Sequence, residues 1–468
     1  MANRFSLGGV LLDVDPHHAE AETETLLEAE SKPSLRLLVM GDFSGQATGK
    51  LARLDRDNFE VVMRGLAPRV EITLGDGRLG DRELTFTSLE DFEPDSIYRN
   101  TELFAALRVG DVPPLYSEPE EGEPKGPLKP TAEQMERLTS AGGLLDAIAE
   151  KSSGGSYSAA APAPKRIDDF QSMVERIVAP YVAPSETAES RRAATENAQR
   201  RSLLMSHVLH NEQFQAMEAA WRSLDLLVRS LDTDTLIHLY LLDCSKDQLD
   251  ARLRAVSRSH ENQTLVIANF AFDRATLSDV ELLSRISLAA RSLGAPFIAE
   301  CLPSQNDDAK SEVAWQALRK IAAAEYIGLA LPRFLVRLPY GKDTIPVDAF
   351  DYEEMSGDPV HTDYLWGNPA FACALVLGQL WEQQGSLTPI PANLRLSGMP
   401  LHVFVSDGEP VARPCTEVLF SDRDCATILN EGSLPLAAMK GADTIIFPKM
   451  QSIADPPSLL AGFQSMNW

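Results

Sequence analysis

The sequence has no run of about 18 apolar residues, the length a membrane-crossing helix needs, so no transmembrane span is expected. It has no basic surplus: 43 Lys and Arg stand against 68 Asp and Glu, for a formal net charge of −25. A chain without a basic stripe cannot neutralise phosphates, which excludes nucleic acid as an expected partner. Cysteine is scarce. The five present (Cys244, Cys301, Cys373, Cys415, Cys425) are scattered and form no CxxC pair, which fits buried thiols in a reducing compartment better than a disulfide framework. The start, MANRFSLGGVLLDVD, lacks the basic, apolar and small-residue zones of a secretory signal. A cytoplasmic protein with no membrane partner is expected.

At 468 residues the chain exceeds a single core, and its 44% apolar content is ordinary for globular protein. Residues 4–13, RFSLGGVLLD, read as one strand without a local partner, followed by an acidic stretch to residue 32. Such a strand suits either addition to another sheet's edge or an edge of its own domain. Residues 34–112 read as a compact α/β unit: a buried strand at Leu35–Met40, a helix near Asp57–Gly65, strands at Arg69–Leu74 and Glu83–Phe86, and a helix over Pro94–Leu107 with proline at its start. Residues 113–165 are rich in Pro, Glu, Gly and Ser and form the clearest boundary.

Beyond it, Ile167–Tyr181 and Ser185–Leu231 read as helices. In the second, Phe214, Met217, Trp221, Leu224, Val228 and Leu231 recur at spacings of three and four, giving one apolar face. Strands and helices then alternate: strands at Leu236–Leu242, Thr264–Phe272, Phe297–Glu300 and Tyr326–Leu331, with helices from Ser245, from Ser278 to Leu293, and over Glu312–Ala324. This order argues for a mostly parallel, doubly wound sheet covered on both faces. Further on, a helix at Pro369–Gln384 is capped by Asn368, strands are expected at Leu401–Val405, Glu417–Phe420 and Thr444–Phe447, and a helix at Asp422–Asn430.

The densest apolar run is Tyr326–Gly341, YIGLALPRFLVRLPYG, in which Arg333 and Arg337 stand four apart. Unpaired buried charge costs several kcal/mol, so both guanidiniums need partners. Two readings stand here: structural ion pairs, with Asp348, Asp351, Glu353 and Glu354 as candidate partners, or an anion site. Other candidate chemistry is weaker. Gly41–Lys50 follows a strand but has three residues where a phosphate loop needs four, and Leu51 where it needs Ser or Thr. His207 and His210 have metal-like spacing without a third ligand. Cys415 has His402 as its nearest histidine but no nucleophile elbow around it. No catalytic set, cofactor motif or metal set assembles.

Two groups of words nevertheless carry a resemblance. LLVMGDFSG, DRDNFEVVMRGLAPRVEITL and ELTFTSLEDFEPDSI, within residues 34–107, are similar to the small subunit of the type VI secretion contractile sheath (TssB, or VipA). IDDF, LHNEQFQAMEAAWRSLDLLV, LDCSKDQL, APFIAE, YIGLALPRFLVRLPYG, YLWGNPAFA, GMPLHVF, PCTEV and MQSI, within residues 167–452, resemble its large subunit (TssC, or VipB).

The architecture this implies is α/β: an arm with a strand (1–33), a small sheath-subunit domain (34–112), a linker (113–165) and a larger doubly wound mixed-sheet domain (166–468), shortened at its C-terminal end relative to the family. The implied function is structural and not enzymatic: a sheath subunit that polymerises around an inner tube and contracts to propel it. Implied partners are other sheath subunits, an Hcp-like tube protein, baseplate components and an AAA+ unfoldase of the ClpV type. Phe5, Leu7, Val10 and Leu12 of the arm are then lattice-contact candidates, and Trp221, Arg333, Arg337 and Trp366 structural or interface candidates. The alternatives are a sheath-like capping, assembly or baseplate factor that does not propagate a lattice, and an α/β hydrolase or nucleotide-binding enzyme using Cys415 or the Gly41–Lys50 loop.

Overall fold

Leu35–Gly41 (β1) is a run of seven buried residues, LRLLVMG. A strand apolar on both faces belongs inside a parallel sheet with both sides covered. The computed structural model describes residues 34–72, 82–108, 188–256, 263–303, 309–355 and 359–463, and there β1 takes that position. It lies between Ile237–Asp243 (β5) and Gln263–Phe272 (β6), parallel to both, with Leu35 opposite Ile237 and Gln263. Leu51–Leu54 (β2) closes one side antiparallel to β5. Phe297–Cys301 (β7), Ile327–Leu331 (β8) and the short Leu434–Pro435 (β14) extend the other side in parallel. The sheet has seven strands in the order β14-β8-β7-β6-β1-β5-β2.

Smaller ladders surround it. Arg69–Ile72 (β3) pairs with Arg82–Thr85 (β4), and Phe334–Leu335 (β9) with Trp366–Gly367 (β10). Leu394–Leu396 (β11), Ala437–Ala438 (β15) and Ile445–Phe447 (β16) form a three-stranded sheet. Val403–Ser406 (β12) and Glu409–Ala412 (β13) form a hairpin.

Strand alternation sorts the core into two layers. Leu35, Leu37 and Val39 of β1 face one cluster, while Leu38 and Met40 face the other. The first layer holds the helices Phe59–Leu66 (α1), Pro94–Asn100 (α2), Ala188–Leu209 (α3), Glu212–Ser230 (α4) and Pro369–Gln384 (α8). The second holds Leu249–Ala255 (α5), Leu277–Leu293 (α6) and Ala309–Arg319 (α7). Helix α8 is apolar all round, as a fully buried helix is. Gly378 lets it approach the chain after α4, since a Cβ there would meet Leu231 at 2.8 Å. Asp422–Asn430 (α9) carries a Ser421–Asp424 capping box.

Several expectations are corrected. Residues 34–107 do not close a core of their own; they pack in one unit with Asn197 onward, because β1 finds its ladder partners only in β5 and β6. The rest, Arg108–Glu196, is a second unit, described only at Arg108 and from residue 188. The strand expected at Tyr326–Leu331 is β8, second from an edge of the sheet. The helix expected over Ser185–Leu231 breaks after Leu209, where the Asn211 side chain accepts the Gln213 and Phe214 N–H groups and starts α4 afresh. The helix from Pro94 ends at Asn100, where the Thr101 hydroxyl bonds the Ile97 carbonyl. The helix of Glu312–Ala324 stops at Arg319, and a 3₁₀ turn follows. Glu417–Phe420 is not a strand: Thr416 makes a single bridge to Phe334, and Val418 and Leu419 are exposed. The arm, the linker and Ile167–Tyr181 lie outside the described residues.

Candidate functional site: a buried ion cluster and a filled loop

Helix α4 places Glu218 and Arg222 one turn apart on its buried side. Arg337, only 5% exposed, reaches the same point from the segment after β9. Its Nε donates to Glu218 at 2.8 Å, and Nη1 and Nη2 clamp Glu354 at 2.8 and 3.0 Å. Arg222 Nε donates to Glu218 at 2.7 Å, and its Nη2 to the Tyr340 hydroxyl at 3.0 Å. The Arg337 guanidinium stands 4.2 Å from the Tyr340 ring centre, and the Tyr340 N–H donates to Glu354. Planar forks on carboxylates are the strongest form of such pairing.

Burial alone would raise the Glu354 carboxyl. The Arg337 charge, with hydrogen bonds from Arg337 and the Tyr340 N–H and the nearby His210 ring, outweighs it and holds its pKa at about 2. His210 lies 3.6 Å from Glu354 and 3.7 Å from Asp363, so the helix break carries it into this cluster. Arg337 is thus a core ion pair, and the anion site it might have formed is filled by Glu218 and Glu354.

Arg333 is placed differently. It clamps Glu417 through Nε (2.9 Å) and Nη2 (2.7 Å), but it is 40% exposed. His361 also reaches Glu417, at 3.0 Å. Nearby on β7, burial pushes the Glu300 carboxyl up to about 7, with Arg333 opposing and Glu417 reinforcing the shift. A raised carboxyl favours the fold while protonated: that contribution is full below the ordinary value of 4.5 and is lost as pH rises through 7. Glu300→Gln is therefore expected to change the melting temperature little at pH 5 and to raise it at pH 8 by the equivalent of roughly 1–3 kcal/mol. Equal shifts at the two pH values would remove this role from Glu300.

The two candidate tryptophans, Trp221 and Trp366, are both buried. Trp221 donates from Nε1 to the Phe43 carbonyl at 3.0 Å and meets the Phe43 and Phe59 rings edge-on. Trp366 donates to the His361 carbonyl and packs beside Tyr364. His402 Nδ1 is bonded to the Tyr364 hydroxyl at 2.7 Å, while Cys415 is fully buried, its thiol pushed up to about 11 by burial. No base activates that thiol among the described residues. Phe5, Leu7, Val10 and Leu12 lie outside them.

The Gly41–Lys50 loop sits at the carboxyl ends of β1 and β5, where this type of sheet usually holds a ligand. Here Asp243, fully buried at the end of β5, occupies it. Its carboxylate accepts the N–H groups of Phe43 (2.8 Å), Ser44 (3.1 Å) and Thr48 (2.6 Å). The hydroxyls of Ser44 (2.7 Å) and Thr48 (2.6 Å) complete the set. The backbone donors that would cradle a phosphate are spent on a side chain of the same protein. Gly45, at φ 78°, has no room for a Cβ, which would meet the Arg69 carbonyl.

Further ties join the segment before Arg108 to the one after Asn197. Phe86 and Phe92 stack at 4.1 Å and both meet Phe214 edge-on. Asp95 accepts the N–H groups of Asp348 and Ala349, and Tyr98 packs on Phe350 at 4.9 Å. The two segments share a sheet, a buried carboxylate and an aromatic cluster.

Comparison with known families divides the chain at the same place. The family described as VipB (EvpB), tail sheath N-terminal domain, matches residues 195–264 and 261–454. The family described as type VI secretion system VipA matches residues 20–108. The chain belongs to the type VI secretion sheath family. A relative, the type VI secretion system sheath protein TssC1 of Pseudomonas aeruginosa, is 28% identical over 290 residues. The match covers 53% of this chain and 58% of that protein.

The VipA-like segment thus supplies β1, β2 and the loop, and the VipB-like segment supplies β5, Asp243 and the ion cluster. Glu218 and Asp243 escaped sequence reasoning. The Glu218–Arg222 spacing on an apolar helix face was a usable signal for the first; an acid closing an apolar strand was a fainter one for the second.

Proposed function

We propose that this chain is a structural subunit of a type VI secretion contractile sheath, in which one polypeptide supplies both sheath components. It polymerises in the cytoplasm around a tube of Hcp-like subunits, is seated on a baseplate, and contracts to drive the tube outward. An AAA+ unfoldase of the ClpV type then recycles it. Contraction is a change between two packings of neighbouring subunits and needs no catalysis. The observation that carries this reading is the placement of VipA-like β1 between VipB-like β5 and β6. A strand held by ladders on both sides transmits load without parting the two components. The Asp243-filled loop and the carboxylate-filled ion cluster support a mechanical body over an enzyme.

Electron microscopy of the purified full chain, with and without co-expressed tube protein, tests the reading. Tubes or stacked rings are expected in the presence of the tube protein. Particles that stay monomeric in both conditions would reject propagation and leave the capping or assembly role.

A further inference from the structure

The hairpin β12–β13 is a two-stranded sheet with no further strand beside it among the described residues. Two strands alone are marginal in water and gain stability from a third. Asp407 and Gly408, at φ 51° and 81°, form a two-residue turn of the type that fits strand twist. The Arg413 N–H bonds the His402 carbonyl at 2.8 Å, which sets the alternation along the ladder. The pairs 402/413, 404/411 and 406/409 exchange bonds, while Val403, Val405, Pro410 and Ala412 turn their backbone groups outward.

The two edges differ. On β13 the outward position nearest the turn is Pro410, which has no N–H and guards the edge against an added strand. The β12 edge has no such guard. Its outward residues are Val403 and Val405, 55% and 70% exposed, with neither proline nor lysine among them. Among the described residues neither valine has a main-chain partner on that side.

We propose that the outer edge of β12 pairs antiparallel with β12 of a second copy of this chain. In the register that satisfies both edges, Val403 lies opposite the second copy's Val405 and Phe404 meets its own counterpart on the two-fold axis. The outward N–H and carbonyl groups of the valines then bond each other, and the four valines meet on one face. Charge favours the same occupant. The turn end carries Asp407 and Glu409, which have no cationic partner among the described residues. The root carries Arg413, whose guanidinium lies 5.2 Å from the Tyr364 ring centre and whose buried Nε has no acceptor among the described residues. Antiparallel pairing brings the acidic end of each hairpin toward the basic root of the other. Such a pair closes on itself, so it belongs to the free subunit or to a junction, not to the repeating contact of a polar lattice. It does not depend on the sheath reading.

Two variants of the full chain test it. Val405→Pro removes an outward N–H and leaves the β12–β13 ladder bonds in place. In sedimentation across a concentration series it is expected to weaken self-association by about tenfold or more at unchanged circular dichroism. Phe404→Cys is expected to give a disulfide-linked dimer on oxidation, because residues facing each other in a non-hydrogen-bonded pair lie about 4.5–5.5 Å apart. The native cysteines are all buried, so such a dimer reports position 404. Absence of the Phe404→Cys dimer, or self-association of Val405→Pro equal to that of the unaltered chain, would overturn the proposal.

Discussion

Arg337→Ala is expected to lose about 3–5 kcal/mol, a large share of the stability of an ordinary domain, because it strands buried carboxylates. Glu218 keeps Arg222, but Glu354 loses both of its charged bonds and retains the Tyr340 N–H and the neighbouring His210. The loss is one of partner removal, not of net pair strength; an apolar cluster of the same volume would cost far less. Arg333→Ala is the control. Its pair with Glu417 has as good a geometry, but Arg333 is 40% exposed, and removing it is expected to cost about 1 kcal/mol or less.

Chemical denaturation of the two variants beside the unaltered chain measures the difference. Equal losses would mean that burial does not separate the two arginines. The same cluster predicts acid sensitivity. Glu354 falls from the ordinary 4.5 to about 2 in the fold, so its contribution is full above pH 4.5 and disappears as pH falls from 4.5 toward 2. Arg337→Ala should flatten stability across that window.

Why Arg337 was half legible follows from distance along the chain. Glu354 lies 17 residues on, in an acidic excursion that composition marks. Glu218 lies 119 residues back, and no local pattern reports a contact of that separation. The same limit governs the sheet. Continuous apolar runs at Leu35–Gly41 and Ile237–Asp243 announce buried parallel strands, but periodicity is blind to strand order. That β1 crosses into a sheet formed some 200 residues later is a tertiary fact; local patterning alone favoured a separate small domain. The break at His210 hid for another reason. No glycine or proline marks it, and the signal was Asn211 standing before an apolar face, a cap inside a longer helical pattern.

Asp243→Ala carries the second large effect. It removes a fully buried carboxylate that accepts from three backbone N–H groups and two hydroxyls, those of Phe43 and Ser44 buried and those of Thr48 nearer the surface. A buried donor left unsatisfied costs about 1–3 kcal/mol; the losses share one relaxing loop, so about 3–5 kcal/mol in all is expected. Asp243→Asn keeps one oxygen but turns an amide donor toward other donors, and should fall between the two.

The effect is directional as well as large. Phe43, Ser44 and Thr48 belong to the VipA-like segment and Asp243 to the VipB-like one, so the variant loosens the joint between them. Faster hydrogen exchange is expected at Gly41–Lys50 before it spreads to β5. Formate or acetate supplied to Asp243→Ala should restore part of the melting temperature, since a small carboxylate fits the vacated cradle and meets the same donors. Chloride at equal ionic strength should restore less. A variant that neither loses stability nor responds to carboxylates would show that the donors around Asp243 find other partners at little cost, and the loop would no longer count as a joint held by an internal anion.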